Sequence, residues 1–314
     1  MRRTRSQVKQ TLGGFHPAYR IWPKRENLLG QQANSRTENQ QNPEFKLGIG
    51  RLLVLLVIYF IISGVSSVII ALLPVTSNFS QALLVGQVIA WPVTILIALQ
   101  WGGGTFREIC PLGPFPVRIV PALILVGFGM ELLLVKVAGW IPVPESLQAW
   151  LTSELSTGKL TLFFSAVIIA PVTEELFFRG PALQGFLGRY TQKRAIWVTA
   201  IFFALFHGLP WQMVVSLPVG LVSAWLVIRT RTLWPSILFH ATVNLTGLVF
   251  VPLLIQLFAP NSDQLKVAKH YPLPLLFIGL GAFAIGGYFL GRELEGVEDQ
   301  QAFCVSDPNP KNCK

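Results

Sequence analysis

The chain is 314 residues long. Hydrophobic residues make up 52% of it and charged residues only 13%, with a mean hydropathy of +0.54. A soluble globular domain carries about 25% charged residues, so this composition argues against an ordinary soluble enzyme. The apolar runs are also too long to be one-sided helices around a single soluble core. The net charge of +10 is concentrated near the start. Ten of the 25 Lys and Arg residues fall in the first 51 positions: Arg2, Arg3, Arg5, Lys9, Arg20, Lys24, Arg25, Arg36, Lys46 and Arg51. Beside long apolar runs, this bias reads as the cytoplasmic flank of a membrane protein rather than a nucleic-acid-binding surface. Cys110, Cys304 and Cys313 form no CxxC pair and imply neither a disulfide framework nor a zinc knuckle.

In chain order, residues 1–47 are polar, basic and rich in Gln and Asn, and read as a disordered cytoplasmic tail without a signal-peptide pattern. A membrane domain over 48–292 follows. A helix needs about 20 mainly apolar residues to cross the hydrocarbon core. Eight candidates meet or approach this: 50–73, 79–100, 117–140, 160–188, 195–208, 211–229, 233–258 and 272–291. The fifth covers only about 21 Å and is expected to end inside the protein, at Gly208-Leu209-Pro210. Residues 293–314 read as a short cytoplasmic tail. The expected fold is an all-α polytopic membrane helical bundle of about eight transmembrane helices. Loop charge supports cytoplasmic N- and C-termini. Arg107, Arg118, Arg189, Lys193, Arg194, Arg229 and Arg231 fall on the inside, against Lys159, Lys266 and Lys269 outside.

Ionisable residues inside a span are costly, and each is a functional hypothesis by default. The fourth span holds Glu174, Glu175 and Arg179, the fifth His207, and the seventh His240 and Asn244. Glu175 and Arg179 are i and i+4 and can pair, while Glu174 is turned about 100° away. Phe203 and His207 share a face of the fifth span, and His240 and Asn244 a face of the seventh. Counted from the nearest cytoplasmic basic residue, Glu174, His207 and His240 lie about 22, 20 and 14 Å deep. Three spans thus bring polar groups toward one mid-membrane level. In the third span Lys136 reads as snorkelling, and Glu131, about 20 Å in, could approach the same level. Taken singly, a Glu–Arg pair or a His in a bundle is often structural. His16 and His270, in a tail and a loop, carry no implied chemistry.

A carboxylate and an imidazole sharing a water can make it a nucleophile. A second imidazole and a carboxamide can donate to a developing oxyanion. Together they would make a peptide-hydrolysis site with no nucleophilic side chain, with Arg179 neutralising Glu175. A zinc site of HExxH type is absent, and Asp263, Asp299 and Asp307 lie outside the spans, which removes an aspartyl dyad. No GxSxG occurs, although Ser216, Ser223 and Ser236 remain individually open.

Glu174-Glu175-Leu-Phe-Phe-Arg179 fits EExxxR, Phe203-Ala-Leu-Phe-His207 fits FxxxH, and His240-Ala-Thr-Val-Asn244 fits HxxxN. In this order and spacing the chain, over roughly 160–255, resembles the CPBP family (CAAX protease and bacteriocin-processing, or Abi) of intramembrane glutamic proteases. Its eukaryotic members remove the last three residues of prenylated CAAX proteins. The resemblance implies an intramembrane endopeptidase. In it Glu174 would be the general base and His207 its partner on the water. His240 and Asn244 would bind the oxyanion, with Glu175, Arg179 and Phe203 supporting. No cofactor is implied by this mechanism. The alternative is a metal-dependent protease with Glu174, His207 and His240 as zinc ligands, a set that leaves Asn244, a poor metal ligand, unused. The implied partners are the lipid bilayer and a membrane-tethered protein or peptide substrate, of which a prenylated CAAX protein is one kind, with no nucleic acid. Some family members act in bacteriocin immunity or as membrane scaffolds, so a non-proteolytic binding protein is the rival expectation.

Overall fold

The structure is a computed structural model that describes residues 45, 47–73, 79–147, 149, 158–259 and 271–306. Among them there is no β-strand, and the fold is an all-α polytopic bundle. The main helices are α1 (Ile49–Ala71), α2 (Phe79–Gly102), a one-turn α3 (Phe106–Ile109) and α4 (Val120–Ala138). They continue with α5 (Lys159–Leu187), α6 (Gln192–Phe206), α7 (Pro210–Thr230), α8 (Trp234–Phe258) and α9 (Leu273–Ser306). Each expected span has its helix, with ends shifted by at most a few residues except in α9, which runs 15 residues past the expected 291.

Seven of these helices, rather than the expected eight, are long and apolar enough to cross a membrane among the described residues. The one that falls short is α6, at 15 residues, or about 22 Å. His207 caps its C-terminal end and Gly208, with φ of +70°, turns the chain into Pro210 at the start of α7. The chain turns at Gly208-Leu209-Pro210, where the sequence placed the end of the short fifth span, with Gly208 and Pro210 exposed. The tail expected over 1–47 lies outside the described residues except at its end, where Phe45 and Leu47 are buried. At the other terminus α9 continues as helix to Ser306, through the first part of the expected tail; residues 307–314 lie outside the described ones.

The packing follows membrane logic. On α1 the outward residues Leu53, Val57, Ile61 and Val68 are apolar and exposed, while Leu52, Leu55, Leu56 and Tyr59 face inward. Lipid tails are as apolar as leucine, so association depends on close approach through small residues. Helices α1 and α2 meet where Gly86 faces Ser67, whose hydroxyl donates back to the Ser63 carbonyl at 2.7 Å. Helices α4 and α9 run antiparallel, with Gly129 against the backbone of Gly279 and Phe283, and Gly286 against Ala122 and Val126. A Cβ at either position would collide with backbone, which cannot move aside cheaply.

Two further features place the functional helices. Thr232 Oγ1 and Trp234 Nε1 donate to the carbonyls of Gly113 and Leu112 at 2.8 and 3.2 Å, tying the start of α8 to the loop after α3. Helix α5 is not a uniform α-helix. Its two-turn segment Ala170–Phe177 is flanked by wider π-turns at Phe164–Ile169 and Phe178–Ala182. Pro181 lacks an N–H, and Gly180 departs from helical geometry, with ψ of −110°.

The glycine contacts give a direct check. Gly129→Ala is expected to lower stability by about 1–3 kcal/mol through overpacking. Gly281→Ala, on the same helix pair but with open space at its Cβ, is expected to be neutral or slightly stabilising. Thermal unfolding of both variants in one detergent measures the difference.

Candidate active site

The segment Ala170–Phe177 presents two adjacent carboxyls to different partners, because neighbouring helical residues point about 100° apart. Glu175 and Arg179 are both fully buried, with Nε and Oε2 3.0 Å apart. They meet at ion-pair distance without linear hydrogen-bond geometry. A second guanidinium nitrogen of Arg179 reaches the Gly220 carbonyl on α7 at 3.4 Å. The other Glu175 oxygen accepts from His240 Nδ1 at 3.0 Å, and the Ser236 hydroxyl faces the same carboxylate. Helices α5, α7 and α8 are thereby joined by one charged cluster, and Arg179 neutralises Glu175 as the spacing implied.

Glu174 turns instead toward α6. Its Oε2 is 3.9 Å from His207 Nε2, beyond hydrogen-bond length, and has no hydrogen-bond partner among the described side chains. His207 Nδ1 lies 2.8 Å from the Phe203 carbonyl. A carbonyl only accepts, so Nδ1 carries the hydrogen and, in the neutral ring, Nε2 offers a lone pair toward Glu174.

Phe203 is the hub between the two dyads. Arg179 stacks on its face, 4.4 Å from the ring centroid. Its ring lies 4.9 Å from that of His207 and 5.5 Å from that of His240, both edge-on. The FxxxH spacing places this ring one turn before His207, where it can touch both imidazoles. Asn244, one turn beyond His240, donates from Nδ2 to the Ala166 carbonyl at 2.7 Å, inside the first π-turn of α5. That bond fixes the amide plane and leaves a second N–H.

All seven residues singled out by the sequence therefore lie in one connected region. Glu131 does not join the dyads. It is buried against Gly247, one turn past Asn244, and interacts electrostatically with Tyr271 at the start of α9. The alternative zinc set is not assembled either. Among the described residues no three His, Cys, Asp or Glu side chains are placed to hold a metal ion. His240 Nδ1 is bound to Glu175, while Glu174 faces His207, so the three groups belong to two separate dyads. Cys110 sits beneath the kink at Gly180, with Sγ 3.4 Å from the Leu176 carbonyl. Burial pushes its thiol up to about 12, which removes it as a nucleophile.

Two contributors were missed from the sequence. Tyr59 of α1 and Trp91 of α2 are buried beside the site, their rings 4.1 Å apart, and both pack on Phe206, whose ring meets that of His207. The available signal was weak: one tyrosine in a span otherwise made of aliphatic residues, Arg51, Phe60 and small polar groups.

Fold and site together define a multi-pass α-helical membrane protein with a carboxylate–imidazole centre inside its bundle. Residues 156–246 match the family model described as type II CAAX prenyl endopeptidase, Rce1-like. All three motifs, EExxxR, FxxxH and HxxxN, lie within that segment, and the match supports a membrane endopeptidase in general. No match was found among curated proteins or among solved structures.

The charged cluster yields a stability test. Arg179→Met strands the Glu175 carboxylate in the bundle interior and is expected to cost about 3–5 kcal/mol. The double variant Glu175→Leu/Arg179→Met should recover much of that loss. Chemical or thermal unfolding in detergent distinguishes the two.

Proposed function

We propose that this protein is an intramembrane endopeptidase that hydrolyses a peptide bond of a membrane-tethered substrate, of the prenylated CAAX type, with a water activated by Glu174 and His207. The observation that carries the reading is the facing pair of acceptors. Glu174 Oε2 and the lone pair of His207 Nε2, 3.9 Å apart, can each take one hydrogen of a single water at about 2.8 Å. Both hydrogens are then held by the site, and an oxygen lone pair is left free to attack.

In the step this implies, the water oxygen bonds to the scissile carbonyl carbon as its proton passes to Glu174, and the carbonyl π pair moves onto oxygen. In this scheme the oxyanion takes hydrogen bonds from the Asn244 N–H not used on Ala166 and from His240 Nε2–H, which requires that ring to carry both hydrogens. Collapse of the intermediate breaks the C–N bond, and the proton on Glu174 goes to the leaving nitrogen. Glu175 and Arg179 touch no reacting atom in this scheme; they orient His240. The family match over the motif segment supports both the reaction class and the substrate class. The positive-inside bias supports N- and C-termini on the cytoplasmic side.

Glu174→Ala, Glu174→Gln and His207→Ala are each expected to lower kcat for a membrane-tethered prenylated peptide by about 10²–10⁴-fold while inserting normally. Asn244→Ala is expected to lose about 10²–10³-fold. Full activity in Glu174→Gln or His207→Ala would sink the mechanism. Intact cellular function in Glu174→Gln would favour a scaffold or immunity role. Activity is expected to persist with a strong chelator; loss of activity restored by Zn²⁺ would replace this mechanism with a metal-dependent one. A reporter fused after Lys314 should read cytoplasmic.

A further inference from the structure

The loop after α3 lies well outside the segment that matches the family model, yet it grips two of the motif-bearing helices. It leaves a capped turn: Glu108 Oε2 accepts from the Thr105 N–H at 3.1 Å and from the Thr105 hydroxyl at 2.7 Å. Ile109 and Cys110, which follow, are both buried.

On one side the loop meets α5. Across the wide turn of that helix, the Leu176 carbonyl looks to residue 181, five positions on, and Pro181 has no N–H to give it. The Cys110 thiol donates to the same carbonyl at 3.4 Å. The sulfur fits there because residue 180 is glycine; a Cβ at Gly180 would stand 2.7 Å from Sγ. On the other side the loop meets the tight connection from α7 to α8, Arg231-Thr232-Leu233, with Arg231 at φ of +56°. The Leu233 N–H donates to the Pro111 carbonyl at 2.9 Å, the Trp234 indole to Leu112 at 3.2 Å and the Thr232 hydroxyl to Gly113 at 2.8 Å. Thr232 and Leu233 are fully buried, so bulk water cannot stand in for these bonds.

Four consecutive residues, 110–113, thus bond to α5 beside Glu175 and to the start of α8, two turns before His240. The Glu175–His240 contact at 3.0 Å spans the same two helices. It aims the imidazole only while they keep their axial register, and a misplacement of about 1 Å can cost about 10²-fold in rate. We propose that residues 109–113 are a brace that sets the register of α5 against α8, with Cys110 as a positioning residue acting through Glu175 on His240. This rests on the reading of His240 as an oxyanion donor. It adds that the motif-bearing segment takes its alignment from a loop outside itself.

Cys110→Ala and Thr232→Val each remove one donor at little change in shape. With the membrane-tethered peptide, each is expected to lower kcat about tenfold, with KM within about twofold. Cys110→Ser keeps a donor and should recover kcat to within about threefold of wild type. Both changes act through one loop, so the double variant should lose no more than about twice the larger single loss. A loss equal to the product of the two overturns the shared brace. A second readout needs no turnover: the ring ¹⁵N resonances assigned to His240 by their loss in His240→Gln should shift in Cys110→Ala and in Thr232→Val. Unmoved resonances, with only a lowered unfolding midpoint, reduce the loop to a stabilising contact and overturn the proposal. Shifted resonances with wild-type kcat overturn its bearing on the reaction. If Glu174→Gln still cleaves, the hydrolytic mechanism fails instead, and the His240 resonances alone decide the brace.

Discussion

A guanidinium and a carboxylate buried side by side in an apolar bundle constrain everything around them. Arg179 and Glu175 are both fully buried, and neither charge could be left alone there, since stranding one costs several kcal/mol. Their surroundings answer that demand from several helices. The Gly220 carbonyl on α7 takes another nitrogen of Arg179, Phe203 on α6 offers its ring face, and His240 on α8 donates to Glu175. A single buried ion pair therefore sets the relative placement of α5, α6, α7 and α8. Because His240 is one of its members, the charge cluster also fixes the direction of an imidazole that the proposed chemistry uses.

The adjacent carboxyl has the opposite environment. Glu174 is one residue away in sequence, but the helical turn aims it at α6, where the His207 nitrogen stands at 3.9 Å with its lone pair inward. Glu175 has Arg179 and His240 within 3.0 Å of its two oxygens, whereas Glu174 Oε2 has His207 only at 3.9 Å. Two carboxylates given distinct environments commonly take distinct roles. The π-turns flanking Ala170–Phe177 belong to the same arrangement, since such bulges in helices often accompany functional sites. Here the first of them exposes the Ala166 carbonyl to Asn244, which binds α8 to α5 just beyond the ion-pair cluster.

Much of this was legible in the sequence. Span positions followed from apolar run length alone, because the bilayer sets a minimum length for an uninterrupted apolar helix. The short helix ending at His207 could be read from the turn at Gly208-Leu209-Pro210. The i, i+4 relation of Glu175 and Arg179, and the opposed directions of Glu174 and Glu175, needed only the helical period. Glu131 shows where this reasoning stops. Its depth was compatible with the site, but depth is one coordinate, and the rotation of α4 turns it to Gly247 and Tyr271. Depth likewise does not decide grouping: at similar depth, Glu174, His207 and His240 are not gathered into one three-ligand cluster among the described residues.

The sequence by itself determined which segments are helical and membrane-spanning, and which polar residues are set into them, since both follow from local composition and a fixed rise per residue. Tertiary structure alone decided the partners. It gave His240 to Glu175 rather than to Glu174, set Asn244 on a π-turn carbonyl, and packed Tyr59 of α1 against Phe206 of α6. Those pairings depend on how helices rotate about their axes when small residues let their backbones close. No periodicity within one helix records the rotation of its neighbours.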